Sequence, residues 1–423
     1  MGKPLSCNGL KCGRTHAAVR DPAKRIMGQI LPIVLLMLVM AAGETQGDGL
    51  RFKRIGVDDG LSQSMVTSIA QDRRGFIWLG TIDGLNRYDG YTFSVFRSRP
   101  DRSGILASSF ILYVYEARDG MLWIGTYGGG LVRYDPVGGS SVISTSDPGN
   151  PDGLCDNGVG PMCEDHEGNL WIGTSDGLNR FNRSTGGFIR FVHDPERPGS
   201  LSNNGIWAIC SDSSGAIWVG TENGLNRFVS DDAGFVRYCH QPGNLSSLSS
   251  SDVRSVCEDS AGVMWVGTMN GLNRFDRSRG TFTRFLHESA NPHSLPDNVV
   301  LAIHEDRTGR LWVGTSAGLG ILDRTSGSFQ VFRHNEFDRE SLGDDQVRRI
   351  FEDRAGTLWF ATAKGVSLYD DRMSRFALWR RNPSDANSIR HNLVHALLED
   401  RDGYLWIATD RGEIGRASCR ERV

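Results

Sequence analysis

An all-β fold, a β-propeller of four-stranded blades, is predicted by three features of the sequence. The phrase LWxGT or a close variant recurs at Trp78, Trp123, Trp171, Trp218, Trp265, Trp312, Trp359 and Trp406, at spacings of 45, 48 and then 47 residues. A glycine stands at one turn position in every copy: Gly75, Gly120, Gly168, Gly215, Gly262, Gly309, Gly356 and Gly403. Asp83-Gly84, Asp176-Gly177, Asn223-Gly224 and Asn270-Gly271 then supply the strongest short hairpin signal a sequence offers. Turns this frequent without helical periodicity, in units of about 47 residues, are the sequence form of propeller blades.

One copy, SSDVRSVCEDSAGVMWVGTMNGLNRFDRSRGTFTRFLHE (Ser250 to Glu288), shows the elements in order. Val253 to Glu258 is apolar and alternating enough for a first strand, and Asp259-Ser260-Ala261-Gly262 is its turn, where a hairpin demands positive φ. VMWVGT is the second strand, GLNRF the third and FTRF the fourth, before a polar connection with Pro and Ser. The Trp is expected to pack between blades with its N–H on a backbone partner. The Thr closing the phrase (Thr81, Thr126, Thr174, Thr221, Thr268, Thr315, Thr362, Thr409) is expected to tie a turn rather than form a ligand-binding ring.

Seven or eight blades fit eight Trp phrases, and seven is favoured, with the eighth unit opening a second ring. Arg51 to Ile55 (RFKRI) matches the fourth-strand position and is the candidate to seal the last blade, removing a bare edge. The expected domains are a leader over 1–47, a seven-bladed ring over 51–380 and a further repeat over 381–412.

Composition narrows the function classes. The 423 residues carry 52 Gly and 10 Trp, and a formal net charge of -3 gives a nucleic-acid or anionic-membrane surface little support. Lys24 and Arg25, the apolar run Ile30 to Ala42 and the small, polar stretch Gly43 to Gly47 form an export signal too short for a comfortable span, with an uncleaved signal anchor as the alternative. Beyond the leader and the tail, Cys155, Cys163, Cys210, Cys239 and Cys257 are odd in number and lack CxxC spacing. Cys163, Cys210 and Cys257, at one repeat position, should lie beyond the roughly 7 Å Cα limit of a disulfide and act as buried small side chains.

The phrases DGLSQSMVTSIAQDRRGFIWLGTIDGLNRYDGYTF (Asp59 to Phe93), NLWIGTSDGLNRFN (Asn169 to Asn182) and VMWVGTMNGLNRFD (Val263 to Asp276) closely resemble the two-component regulator propeller repeat, over about Phe52 to Gly412. Proteins of that family typically carry an export signal, two seven-bladed periplasmic propellers, an immunoglobulin-like domain, a transmembrane helix and a cytoplasmic output module. That module is most often a histidine kinase, frequently a hybrid one, and sometimes a diguanylate cyclase. The resemblance implies a periplasmic sensor domain of a dimeric inner-membrane receptor, binding a small molecule or oligosaccharide at the ring face or between rings. A secreted propeller enzyme acting on glycans and a protein-binding scaffold are the alternatives, since propellers host many functions.

No catalytic motif, metal set or cofactor fingerprint appears in the sequence, so no catalytic residue, metal ligand or cofactor is expected. His193, His240, His287 and His334 repeat every 47 residues, but neighbours diverge at the periphery, beyond the roughly 2 Å reach of zinc ligands. The pairs Glu164-Asp165, Glu258-Asp259, Glu305-Asp306, Glu352-Asp353 and Glu399-Asp400 read as a turn-forming Asp beside a solvent-facing Glu rather than a glycosidase pair. Arg87, Arg180, Arg227 and Arg274 are expected to pair with nearby aspartates or cover apolar surface, not to form an anion-binding rim, which units six (GTSAGLGILD) and seven (ATAKGVSLYD) would leave incomplete. Glu413 to Val423 (EIGRASCRERV) reads codon for codon as a short-read sequencing adapter, so the native sequence is expected to end at about Gly412, inside a hairpin of the eighth unit, with no third strand of the repeat's kind after it.

Overall fold

The computed structural model describes residues 50–99, 104–147, 149–371, 389, 391–400 and 404–410 and the backbone of 414–418. The chain divides into Met1–Gly49 and Leu50–Val423, and the first unit, with the expected export signal, lies outside the described residues. No helix among the described residues is long and apolar enough to cross a membrane.

Seven four-stranded antiparallel sheets follow one another along the chain. In the first blade Val66–Gln71, Ile77–Thr81, Gly84–Tyr88 and Phe93–Phe96 pair in sequence order. Each blade's first strand contacts the first strand of the next, and Val347–Glu352 of the seventh contacts Val66–Gln71 of the first, so the ring closes at seven. The expected sealing segment does this work: Lys53–Ile55 forms the fourth strand of the seventh blade, with Lys53 opposite Leu368 and Ile55 opposite Val366. Gly365, at φ 106°, lets the closing strand approach, since a Cβ there would lie 2.3 Å from the Ile55 carbonyl oxygen.

The second strands show why the repeat has its composition. All five residues of IWLGT, LWIGT, IWVGT and their counterparts are buried, because both faces of each blade are covered by neighbours. Six of the seven Trp meet a third-strand aromatic of the following blade, among them Trp78 with Tyr134 at 6.0 Å, Trp123 with Phe181 at 5.0 Å, Trp171 with Phe228 at 4.9 Å, Trp218 with Phe275 at 5.5 Å and Trp312 with Tyr369 at 5.8 Å. Trp265 packs with Leu322, and Trp359 with Tyr88 of the first blade at 6.1 Å, completing the circle. The Gly of the same phrase admits the next blade; a Cβ on Gly220 would lie 2.6 Å from Val253 Cγ1. Removing one of these indoles to Ala should cost about 3–5 kcal/mol.

The indole N–H takes a partner that the sequence reading did not foresee. Trp78, Trp171, Trp218, Trp265, Trp312 and Trp359 donate to the carboxylates of Asp72, Asp165, Asp212, Asp259, Asp306 and Asp353, six residues earlier, at 2.7–2.9 Å. A backbone carbonyl was expected; the side chain wins because a buried carboxylate needs several donors and the indole is one of them. In the second blade Ala117 holds the Asp position, and Trp123 Nε1 is buried without a partner.

The eighth unit forms a sheet of Val394–Glu399, Tyr404–Thr409 and Ile414–Ser418. Every residue of Val394–Glu399 is exposed, unlike the first strands of the ring. The segment after Gly412 does not carry the third-strand sequence of the repeat, yet Ile414–Ser418 pairs with Tyr404–Ala408, Trp406 standing opposite Arg416. Pairing draws on main-chain donors and acceptors, so an open strand edge accepts a segment whose side chains do not follow the repeat.

Two outcomes follow for stability. Ala117→Asp should stabilise the ring by about 1–2 kcal/mol by giving Trp123 Nε1 an acceptor, read as a raised urea midpoint with unchanged slope. Ile55→Asp, which places a charge in the sealing strand, should lower the midpoint sharply, and an unchanged midpoint would mean that the seventh blade does not need its fourth strand.

Candidate functional site

One position differs among the blades in size, charge and polarity at once. In every first strand the pairing with the second strand shifts register just after the first residue, between Val66 and Ser68, Ile111 and Tyr113, Val159 and Met162, Ile206 and Ala208, Val253 and Ser255, Val300 and Ala302, and Val347 and Arg349. A bulged residue leaves the ladder, and its side chain is re-aimed. The bulge residues are Thr67, Leu112, Gly160, Trp207, Arg254, Leu301 and Arg348, one from each blade, and all seven line a single cavity of about 600 Å³. Thr174, which ends a second strand, and Tyr127, Ser175 and Glu222, which follow second strands directly, complete the same mouth.

Chemically the mouth is aromatic and basic. The Arg254 guanidinium lies 4.0 Å from the Trp207 ring centroid and donates to Asp252 Oδ2 at 2.6 Å. Arg349 stands 5.5 Å from the Tyr113 ring, and Arg348 donates through Nε and Nη2 to Gln346 Oε1 at 3.0 and 2.7 Å. Burial pushes the Tyr113 phenol above its ordinary value, and the neighbouring Arg349 opposes that shift. The Nε atoms of Arg254 and Arg349 are buried without a hydrogen-bond partner. Trp207 is 40 % exposed and Tyr127 61 %, the latter tilted against Phe110 at 5.3 Å. Glu222 is the one carboxylate among the described lining residues, and no histidine or cysteine joins it.

Of the residues singled out in the sequence, Thr174 alone borders this mouth, and the others lie elsewhere. The seven ring tryptophans are buried between blades, whereas Trp406 of the eighth unit is half-buried, its Nε1 donating to Asp400 at 2.7 Å. Thr81, Thr174, Thr221, Thr268, Thr315 and Thr362 donate to the carbonyl of the glycine three residues on, at 2.7–3.0 Å, which ties the hairpin turn. Each of His193, His240, His287 and His334 donates Nδ1 to a leucine carbonyl of its own loop at 2.6–2.7 Å. Among the described residues no three His, Cys, Asp or Glu side chains could hold a metal ion together.

The acidic pairs need a correction. In the ring the Asp of each pair is buried and shapes the turn as expected, but the Glu does not face solvent and reaches the turn of the preceding blade: Glu164 accepts from Arg118 N at 2.7 Å, Glu352 from Arg307 N at 3.1 Å, and Glu116, Glu258 and Glu305 act alike, whereas Glu399 of the eighth unit is exposed. Gln71 accepts from Arg354 N at 2.8 Å across the ring closure. Desolvation of the Glu is repaid by backbone donors of the neighbour. Three arginines missed in the sequence clasp the same junctions: Arg183 bridges Asp119 and Glu164, Arg277 bridges Asp212 and Glu258, and Arg324 bridges Asp259 and Glu305.

Arg87, Arg180, Arg227 and Arg274 lie on third strands, away from the axial mouth; Arg180 pairs with Asp231 at 2.8 Å and covers the Trp171 ring at 5.3 Å. Cys155, Cys163, Cys210, Cys239 and Cys257 are free thiols, and desolvation pushes Cys163 up to about 11 and Cys257 to about 12.

Comparison with known proteins places the chain. Residues 60–83, 105–128, 153–176, 200–223, 247–270, 294–317, 341–364 and 388–411 match the family described as Two component regulator propeller. The chain is 39 % identical over 74 residues to histidine kinase P4 of Formosa agariphila, an alignment spanning 18 % of this chain and 5 % of that one. The extracellular domain assigned to a hybrid two-component system of B. thetaiotaomicron superposes with a TM-score of 0.71 at 25 % identity, over 88 % of this chain and 49 % of that one. Virginiamycin B lyase of Staphylococcus aureus shares the fold, with a TM-score of 0.55 at 16 % identity over 76 % of this chain and 98 % of that one. The chain thus spans about half the length of the solved two-component relative.

The Asp–Trp pair gives a pH-dependent test. Desolvation works against ionising Asp212, but hydrogen bonds from Ser214, Trp218 and Arg277 outweigh it and hold its pKa at about 2. Its contribution to stability is therefore complete above the unfolded value near 3.9 and is lost as pH falls towards 2. Asp212→Asn should cost about 1–3 kcal/mol at pH 7, and the gap to the parent protein should close between about pH 4 and pH 2 in chemical unfolding.

Proposed function

Because this chain is built of eight two-component regulator propeller repeats, and so belongs to the proteins that carry them, we propose that it is the periplasmic ligand-sensing domain of a membrane-bound two-component receptor. The observation that carries the reading is the axial mouth: equivalent positions of the seven blades present five residue types (Thr, Leu, Gly, Trp and Arg) at one place open to a ligand. Its volume is that of ordinary small-ligand sites. The likeness to an extracellular domain of a hybrid two-component system supports an exported location.

A ligand seated across the mouth touches residues from several blades at once, among them Thr67, Trp207, Arg254 and Arg348. Its differential affinity for two arrangements of the ring is what would bias the parts of the receptor nearer the membrane. A histidine kinase output is the reading for the whole protein, in keeping with the kinase relative.

Thermal shift of the purified chain against an oligosaccharide library tests this. At least one compound should raise the melting temperature in the parent protein and not in Trp207→Ala, and it should be recovered chemically unchanged. Conversion of that compound would move the assignment to a glycan-active enzyme, and a library without a single hit would end the sensing reading.

A further inference from the structure

We propose, on the premise that the axial mouth is the ligand site, that it selects an acidic saccharide, whose carboxylate or sulfate lies on Arg348 and Arg349 while its ring packs beside Trp207. The two arginines are consecutive, and in a regular strand they would point to opposite faces. The register shift between Val347 and Arg349 turns both into the same cavity.

Charge in the mouth is unbalanced. Arg254 is neutralised by Asp252, but among the described residues neither Arg348 nor Arg349 makes an ion pair, and Glu222 is the one acidic lining residue. The buried, partnerless Nε of Arg349 and Arg254 each lack an acceptor. Guanidinium groups match planar carboxylates and sulfates with paired, charge-assisted hydrogen bonds. A saccharide fits better than a flat aromatic acid, because hydroxyl-bearing and amide side chains (Thr67, Ser175, Gln346) line the same cavity as the aromatic ring, as a polyhydroxylated ring with one apolar face requires. Arg254 covers part of Trp207 and holds it in place, leaving the ring 40 % exposed towards the mouth.

Calorimetric titration of the whole chain with tetragalacturonate, a sulfated chondroitin disaccharide and uncharged galactotetraose tests the proposal. One of the two acidic probes should bind at least tenfold more tightly than galactotetraose and weaken as salt rises; the one that binds tells carboxylate from sulfate. Arg348→Ala combined with Arg349→Ala should lose at least tenfold of that affinity at an unchanged melting temperature, while Arg279→Ala, on an exposed turn, should lose none. Equal affinity for galactotetraose, an unaffected double variant, or no binding of either acidic probe overturns the acidic preference. Tight binding of the neutral probe that Trp207→Ala abolishes would overturn it while leaving the sensing reading intact. Turnover of a bound acidic probe would do the reverse, sparing the preference and ending the sensing reading.

Discussion

A buried carboxylate holding an indole N–H is the interaction on which the ring depends. Asp212 shows what one such residue does: one oxygen accepts from the backbone of Ser214 and Ala216 and shapes the turn, and the other accepts from Trp218 and Arg277. The turn, the orientation of the largest side chain in the blade and a clasp from the next blade all meet on one group. A carboxylate can be buried at this site because its lone pairs are filled by donors. Every interface between blades inherits its geometry from the rings so oriented, since each Trp lies against the following third strand.

The second blade shows how the ring tolerates a lapse. With Ala117 in place of Asp, the Trp123 indole still packs on Phe181, and Arg133 lies 5.6 Å from its ring. Apolar burial is shared among the whole cluster around it, whereas the lost hydrogen bond is a local deficit of about 1–3 kcal/mol. A ring of seven similar interfaces absorbs one such deficit without losing its closure.

The architecture was legible because the period of 47 and the glycine turns are properties of neighbouring residues, and the sealing role of Arg51 to Ile55 followed from its match to a fourth strand. What stayed hidden lies between blades. Asp212 and Trp218 are six residues apart, yet their pairing depends on a hairpin folding one onto the other, and Glu258 gives no local sign that it caps the turn at Ser213. The axial mouth was missed for the opposite reason to the blades: Thr67, Trp207 and Arg348 are invisible to a search for what repeats. The signal that could have found them is the disagreement of the copies in size, charge and polarity at the residue after the start of each first strand.

The sealing strand has a consequence for the order of folding. Ile55 pairs with Val366, so the earliest segment of the ring waits for the last before it can enter a sheet, and the contact that completes the ring is also the most distant along the chain. Loop-closure entropy rises only slowly with length, so the delay costs little equilibrium stability. It weighs instead on kinetics: blades can form one by one from local hairpins, but the circle remains an open arc, with first and seventh faces bare, until some three hundred residues of chain have condensed.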